Sequence, residues 1–244
     1  MGRPAYAGGR RRRWPYVLVF ILVFLVFVFV VADRISASVA QDRVANKLAG
    51  QRPFTGRPKV RIRGFPFLVQ AGRGHYDDIE VSGPGQPVGP LGAVFIVAQL
   101  HGVHLPVSQA ASGGDDPVPV DRADVAVRVS LDALAAASGV DSLQLRASGD
   151  QLIARAPVDV PGLGSVDVEA TGALAPAGGR VVATLTSVRG VSAELPPGTE
   201  AAVRRALRVV VPVAGLPFDA RAVSVTVEGG AVVISGSATG VVLS

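Results

Sequence analysis

From Tyr16 to Ala32 the chain reads YVLVFILVFLVFVFVVA, with no polar residue after the leading tyrosine. At a helical rise of about 1.5 Å per residue this run spans roughly 25 Å, a little less than a ~30 Å hydrocarbon layer. Trp14 and Tyr16 suit the headgroup layer, and Arg34 can snorkel to the opposite surface, which makes up the difference. The pattern predicts a membrane-spanning helix over residues 17–32. Past it, Ala37, Ala40, Val44 and Leu48 recur at helical spacing and Gly50 follows, predicting a short separate helix over 35–49.

The period then changes from helical to alternating. In 121–131, Ala123, Val125, Val127 and Val129 alternate with polar Arg122, Asp124, Arg128 and Ser130, the mark of a half-buried strand. Leu143/Leu145, Val166/Val168 and Val223/Val225/Val227 repeat it. Residues 91–98 are apolar on both faces and predict a strand that is covered on both sides or faces a ligand cavity. Ser130 can cap a helix over 131–138 that stops at Gly139, and Thr199 can cap another to about Val210, with Val203 inward and Arg204 outward. The segments 113–116, 175–179 and 195–198 read as surface loops. The fold class is α+β: a mostly antiparallel, curved sheet with a few helices behind the N-terminal span.

Charge then assigns sides to these elements. The net charge is +5, and Arg3 and Arg10 to Arg13 supply five positive charges before the first acidic residue. The rest of the chain is balanced, so no basic face remains for a phosphate backbone; with one Trp and three Tyr to stack on bases, nucleic acid is excluded as a partner. The arginine cluster before the apolar run places residues 1–16 in the cytoplasm and residues 33–244 outside it. Ser38-Val39-Ala40 has the small-x-small form of a cleavage site, which makes a cleaved signal peptide the alternative. The length of the apolar run, and the eight residues between it and that site, favour a retained anchor. Both readings export the domain.

Catalytic signatures are missing. The chain has no Cys and three His, which removes thiol catalysis and thiolate metal sites. His101 and His104 are three apart in a predicted strand and so are expected on opposite faces, unable to share a metal. His75 lies beside Tyr76 and Asp77 in a polar cluster, but adjacent strand residues are expected to diverge, as are Asp77 and Asp78, which read as a solvated turn or strand start. No phosphate-cradling glycine motif and no GxSxG elbow occurs. No catalytic residue, metal or cofactor is assigned.

One stretch is left unexplained by these elements. Phe65-Pro66-Phe67-Leu68-Val69 is apolar, carries a proline and lies between Gly64 and Gly72. It fits a turn or short helix at a sheet end, with Pro66 where no N–H is needed. Its side chains either plug the core or line an apolar site; the candidate lipid-contact residues are Phe65, Phe67 and Leu68, with Tyr76, Val94 and Ile96. At these positions the sequence resembles the LmeA-like phospholipid-binding proteins of actinobacteria. Gly64-Phe65-Pro66-Phe67-Leu68, then Gly74, Tyr76, Ile79 and Val81, carry the resemblance. Ala32-Asp33-Arg34 and Gly215-Leu216-Pro217-Phe218 support it.

The resemblance implies an exported, membrane-associated protein that binds phospholipids, inositol phospholipids among them, and takes part in building mannan-bearing envelope glycolipids. It also implies a fold similar to the tubular lipid-binding class, a curved sheet around a long helix. Two other functions stay open on the residues alone: a structural envelope protein without a lipid ligand, and an envelope hydrolase with a dispersed site.

Overall fold

The apolar run and the amphipathic stretch behind it form one continuous helix, α1 (Trp14–Lys47), in the computed structural model, which describes residues 14–50, 53–87, 92–106, 108–109, 117–160, 164–177, 180–191, 201, 203–204, 210–212, 217 and 220–243. The expected separate helix over 35–49 is therefore the second half of α1. Neither Gly nor Pro occurs between Ala32 and Lys47, so nothing interrupts the hydrogen-bond ladder. The first half is exposed along nearly all of its apolar length and is long and apolar enough to cross a membrane. The second half turns Ala37, Ala40, Val44 and Ala45 into the core of the domain, and Leu48, just past its end, joins them.

Two antiparallel sheets follow. The first has six strands in the order β1 (Lys59–Arg63), β2 (His75–Gly85), β3 (Val94–His104), β4 (Val118–Ser130), β11 (Ala231–Leu243) and β10 (Arg221–Glu228). The second has five: β5 (Gln144–Ser148), β6 (Gln151–Val160), β7 (Gly164–Ala177), β8 (Arg180–Gly190) and β9 (Val210–Pro212). Short helices connect some of the strands, among them α2 (Phe67–Arg73) between β1 and β2 and α3 (Leu131–Ala137) between β4 and β5. Ser130 caps α3 as expected, its hydroxyl oxygen accepting the Ala133 N–H at 3.2 Å.

The strand predicted for 121–131 is β4, with Val125, Val127 and Val129 buried. The expectation for 91–98 needs correction. In β3, Val94, Ile96 and Ala98 face the core, whereas Phe95 is 44% exposed. The strand is covered on one side, because the outer face of the sheet is open to solvent. That face carries a charged ladder instead, Arg61 and Arg63 of β1 pairing with Glu80 and Asp78 of β2. In the second sheet, 175–177 extend β7 rather than forming a loop. The loops 113–116 and 195–198 lie outside the described residues, as does most of the helix expected from Thr199. Within it Ala201, Val203 and Arg204 are helical, Val203 is fully buried and Arg204 exposed, and Val210 already belongs to β9.

Leu152 of β6 and Val181 of β8 join the core of the first sheet, while Ala156, Val158, Val168, Ala170 and Val203 make a second cluster with Leu143. The sheets thus share apolar contacts.

The first sheet has a crease. Asp77, Gly102, Asp121 and Gly240 lie opposite one another on β2, β3, β4 and β11, and the strand pairing skips this one row. Gly102 and Gly240 both adopt φ +63°, a conformation costly for other residues. Inward positions are then three residues apart instead of two: Tyr76 and Ile79, Leu100 and Val103, Val120 and Ala123. A slip of this kind bends strands locally. The short end of the sheet beyond the crease is the end that α2 packs on.

Candidate functional site

The apolar knot occupies the corner between β1 and β2. Gly64 at φ +97° turns the chain out of β1, and the Phe65–Pro66 peptide is cis. Pro66 stands at the N-cap of α2 in an extended conformation and has no side-chain acceptor to offer the first turn. The missing acceptor comes from α1. Asp33 Oδ1 accepts the Leu68 N–H at 2.8 Å, and Asp33 is 1% exposed. Its neighbour Arg34 lies over the Phe65 ring, 5.4 Å from guanidinium carbon to ring centroid. The last turn of the apolar helix therefore holds the knot by its backbone and by its outermost ring.

Gln70 fastens the other side of α2. Its amide nitrogen donates to Arg63 O at 3.3 Å, and its amide oxygen accepts the Asp77 N–H at 3.1 Å. Asp77 is in the crease, outside the strand ladder, so Gln70 satisfies a backbone group that the sheet leaves over. Gly74, in the left-handed conformation at φ +65°, closes α2 with its N–H on Ala71 O and Gln70 O.

These anchors sort the knot into two faces. Phe67 turns inward, 7% exposed, with its ring centroid 6.1 Å from that of Tyr76. Tyr76 is itself buried, and burial pushes its phenol above the ordinary tyrosine pKa. Phe65 (53% exposed), Leu68 and Val69 turn outward and form an apolar patch beside Arg34. Val94 and Ile96 are buried in the same core but near the other end of β3. Tyr76 pairs with Val103, and at about 3.3 Å per residue Val94 is roughly 30 Å further along that strand. The six predicted contact residues thus separate into an outward pair, Phe65 and Leu68, an inward pair at the knot, Phe67 and Tyr76, and Val94 and Ile96 at the far end of the inner face.

The histidines depart from expectation. The crease at Gly102 slips the alternation by one, so His101 and His104 emerge on the same, outer face of β3. His75 and His104 are cross-strand partners, their Nδ1 atoms 3.4 Å apart, and His104 Nε2 meets Asp121 Oδ1 at 3.2 Å. His101 pairs with Asp124 at 3.3 Å. His75 and Asp77, two residues apart, share the outer side at 3.8 Å, while Tyr76 between them turns inward as expected. Among the described residues no group of three or more His, Asp or Glu is placed to hold a metal ion.

Asp33 and Gln70 escaped the reading of the sequence. Asp33 had a visible signal, since it stands four residues before Ala37 and so continues the inward stripe of α1. Gln70 stands one helical turn after Phe67, on the same inward face, but that turn was too short to reveal a period.

The family model for LmeA-like phospholipid-binding proteins matches residues 31–237. The chain belongs to that family. Comparison with curated proteins and with solved structures gives no match.

Proposed function

We propose that this chain is a membrane-anchored, extracytoplasmic phospholipid-binding protein that supports assembly of mannan-bearing envelope glycolipids. Family membership over residues 31–237 carries the lipid ligand. In this reading the arginine-rich residues 1–16 stay in the cytoplasm, 17–32 span the bilayer, and 33–244 form the exported domain. The packing of α1 favours retention over cleavage after Ala40. Cleavage would strip the domain of the Asp33 hydrogen bond and of Ala37, a buried core side chain.

Acyl chains are taken up at the knot and lie along the inner face of the first sheet. Phe65, Phe67 and Leu68 form the entry, and Tyr76, Ile96 and Val94 lie along the path. Inositol phospholipids are among the ligands. No residue is assigned a catalytic role.

The test is mass spectrometry of lipid extracted from the full-length protein purified from bacterial membranes. Stoichiometric phospholipid, inositol phospholipid among it, is the expected result. Protein that is empty, and that takes up no phospholipid from vesicles, would instead be a structural envelope component. Turnover of an envelope ester or glycoside would make it a hydrolase.

A further inference from the structure

We infer that the outward face of the knot, Phe65, Leu68 and Val69, docks into the outer-leaflet surface of the membrane that α1 spans, so that the domain is mounted on the bilayer at a fixed height. The inference rests on the reading of α1 as a retained anchor and adds a second contact with the same membrane.

Geometry fixes where the patch must lie. If Tyr16 to Ala32 occupies the hydrocarbon layer, Asp33 and Arg34 stand at its outer boundary. The Leu68 N–H is 2.8 Å from the Asp33 carboxylate and the Phe65 ring is 5.4 Å from the Arg34 guanidinium carbon. Neither residue can therefore be far from that boundary. α1 runs unbroken from Trp14–Lys47, and Ala37 and Ala45 are buried in the domain, so there is no flexible tether to carry the knot away.

The chemistry of the patch fits the same place. Three apolar side chains lie exposed together on one corner, and hydrocarbon gains from each of them what water loses. Arg34 and Arg73 are exposed beside them, one at the end of the apolar run and one in the last turn of α2. Arginines at that level can reach lipid phosphates while their stems stay in the apolar layer. Asp33, the acidic group nearest the boundary, is withdrawn from water and hydrogen-bonded, so it does not oppose an anionic surface from an exposed position. The docked patch places the lipid entry of the proposed function against the leaflet itself. A lipid then passes from bilayer to domain without crossing water.

The experiment uses the absence of Cys from the chain, which makes any introduced cysteine unique. Full-length Leu68→Cys, Val69→Cys, Asp132→Cys and Val23→Cys variants are labelled with bimane and reconstituted into phosphatidylcholine–phosphatidylglycerol vesicles. Quenching by lipids carrying a nitroxide at shallow or deep positions reads the depth of each label. Asp132 is exposed in α3, at the end of β4 away from the knot, and serves as the water-facing reference. Labels at 68 and 69 should be quenched several-fold more strongly than the label at 132, and more by shallow than by deep nitroxide. The label at 23 should respond to the deep nitroxide. If 68 and 69 behave like 132 while 23 is quenched, the anchor stands and the docking is wrong. If 23 is not quenched, the anchor reading falls and the docking falls with it.

Discussion

The carboxylate of Asp33 accepts the backbone N–H of Leu68 at 2.8 Å, joining the end of an apolar helix to the first turn of a short one 35 residues later. Leu68 needs this acceptor because Pro66 gives its helix no side-chain cap. Asp33→Ala should lower the stability of the domain by about 1–3 kcal/mol, the range for leaving a buried donor unmet. Asp33→Asn keeps an acceptor oxygen and should recover part of the loss. A chain beginning at Gln41 should melt below both, since it also loses Ala37. Thermal melts of the purified proteins under one condition check the order.

Phe65 and Phe67 are two residues apart and should respond differently. Phe67→Ala opens the core beside Tyr76 and should cost about 3–5 kcal/mol. Phe65→Ala removes a ring that is half exposed and its contact with Arg34, a loss of about 1 kcal/mol or less. If the knot admits lipid, Phe65→Ala should still weaken phospholipid uptake from vesicles. Denaturant melts alongside lipid-uptake assays test both; normal uptake by well-folded Phe65→Ala, Leu68→Ala and Phe67→Ala variants would show that the knot takes no part in lipid entry.

The crease can be tested through its two glycines. A methyl at Gly102 meets the left-handed backbone penalty and also the Asp121 carboxylate, whereas one at Gly240 meets only the backbone penalty. Gly240→Ala should therefore cost roughly 1–2 kcal/mol and Gly102→Ala more. Gly102→Ala should also increase hydrogen exchange at the Asp77 N–H, if the row opens and Gln70 loses its partner. Equal costs for the two variants would show that the Asp121 contact yields freely.

Tyr76 should make the domain sensitive to alkali. Burial raises its phenol pKa in the folded chain, while the unfolded chain keeps a value near 10. As pH rises past that value the unfolded state loses its proton first and is favoured. The stability contributed by the neutral phenol is complete below about pH 10 and is lost as pH climbs through the raised folded value. Tyrosinate absorbance, wild type minus Tyr76→Phe, should show this residue ionising late. Tyr76→Phe should flatten the alkaline fall in stability.

The apolar run, the alternation of β4, the cap of α3 and the knot's place at a sheet end were all legible in the sequence, because each depends on neighbours a few residues away. Local periodicity and capping chemistry determine such features directly. The two faces of the knot were not legible, since Phe65, Phe67 and Leu68 are equally apolar and only the packing of α2 against Tyr76 decides which of them meets solvent. The continuity of α1 was missed because a charged pair after an apolar run reads as the end of a span, when here Asp33 is satisfied by a backbone group far away in the chain. The crease was missed for a related reason. Glycines 102 and 240 mark it in the sequence, but only the alignment of four strands brings them into one row with Asp77 and Asp121. That alignment puts His101 and His104 on one face against the strict period of two. Local pattern therefore marks the kind of most elements, while their extent, as in α1 and β7, depends on what they pack against. Packing sets which side chains those elements share, because the contacts run between separate elements, whether close in the chain like Phe67 and Tyr76 or far apart like Val120 and Val241.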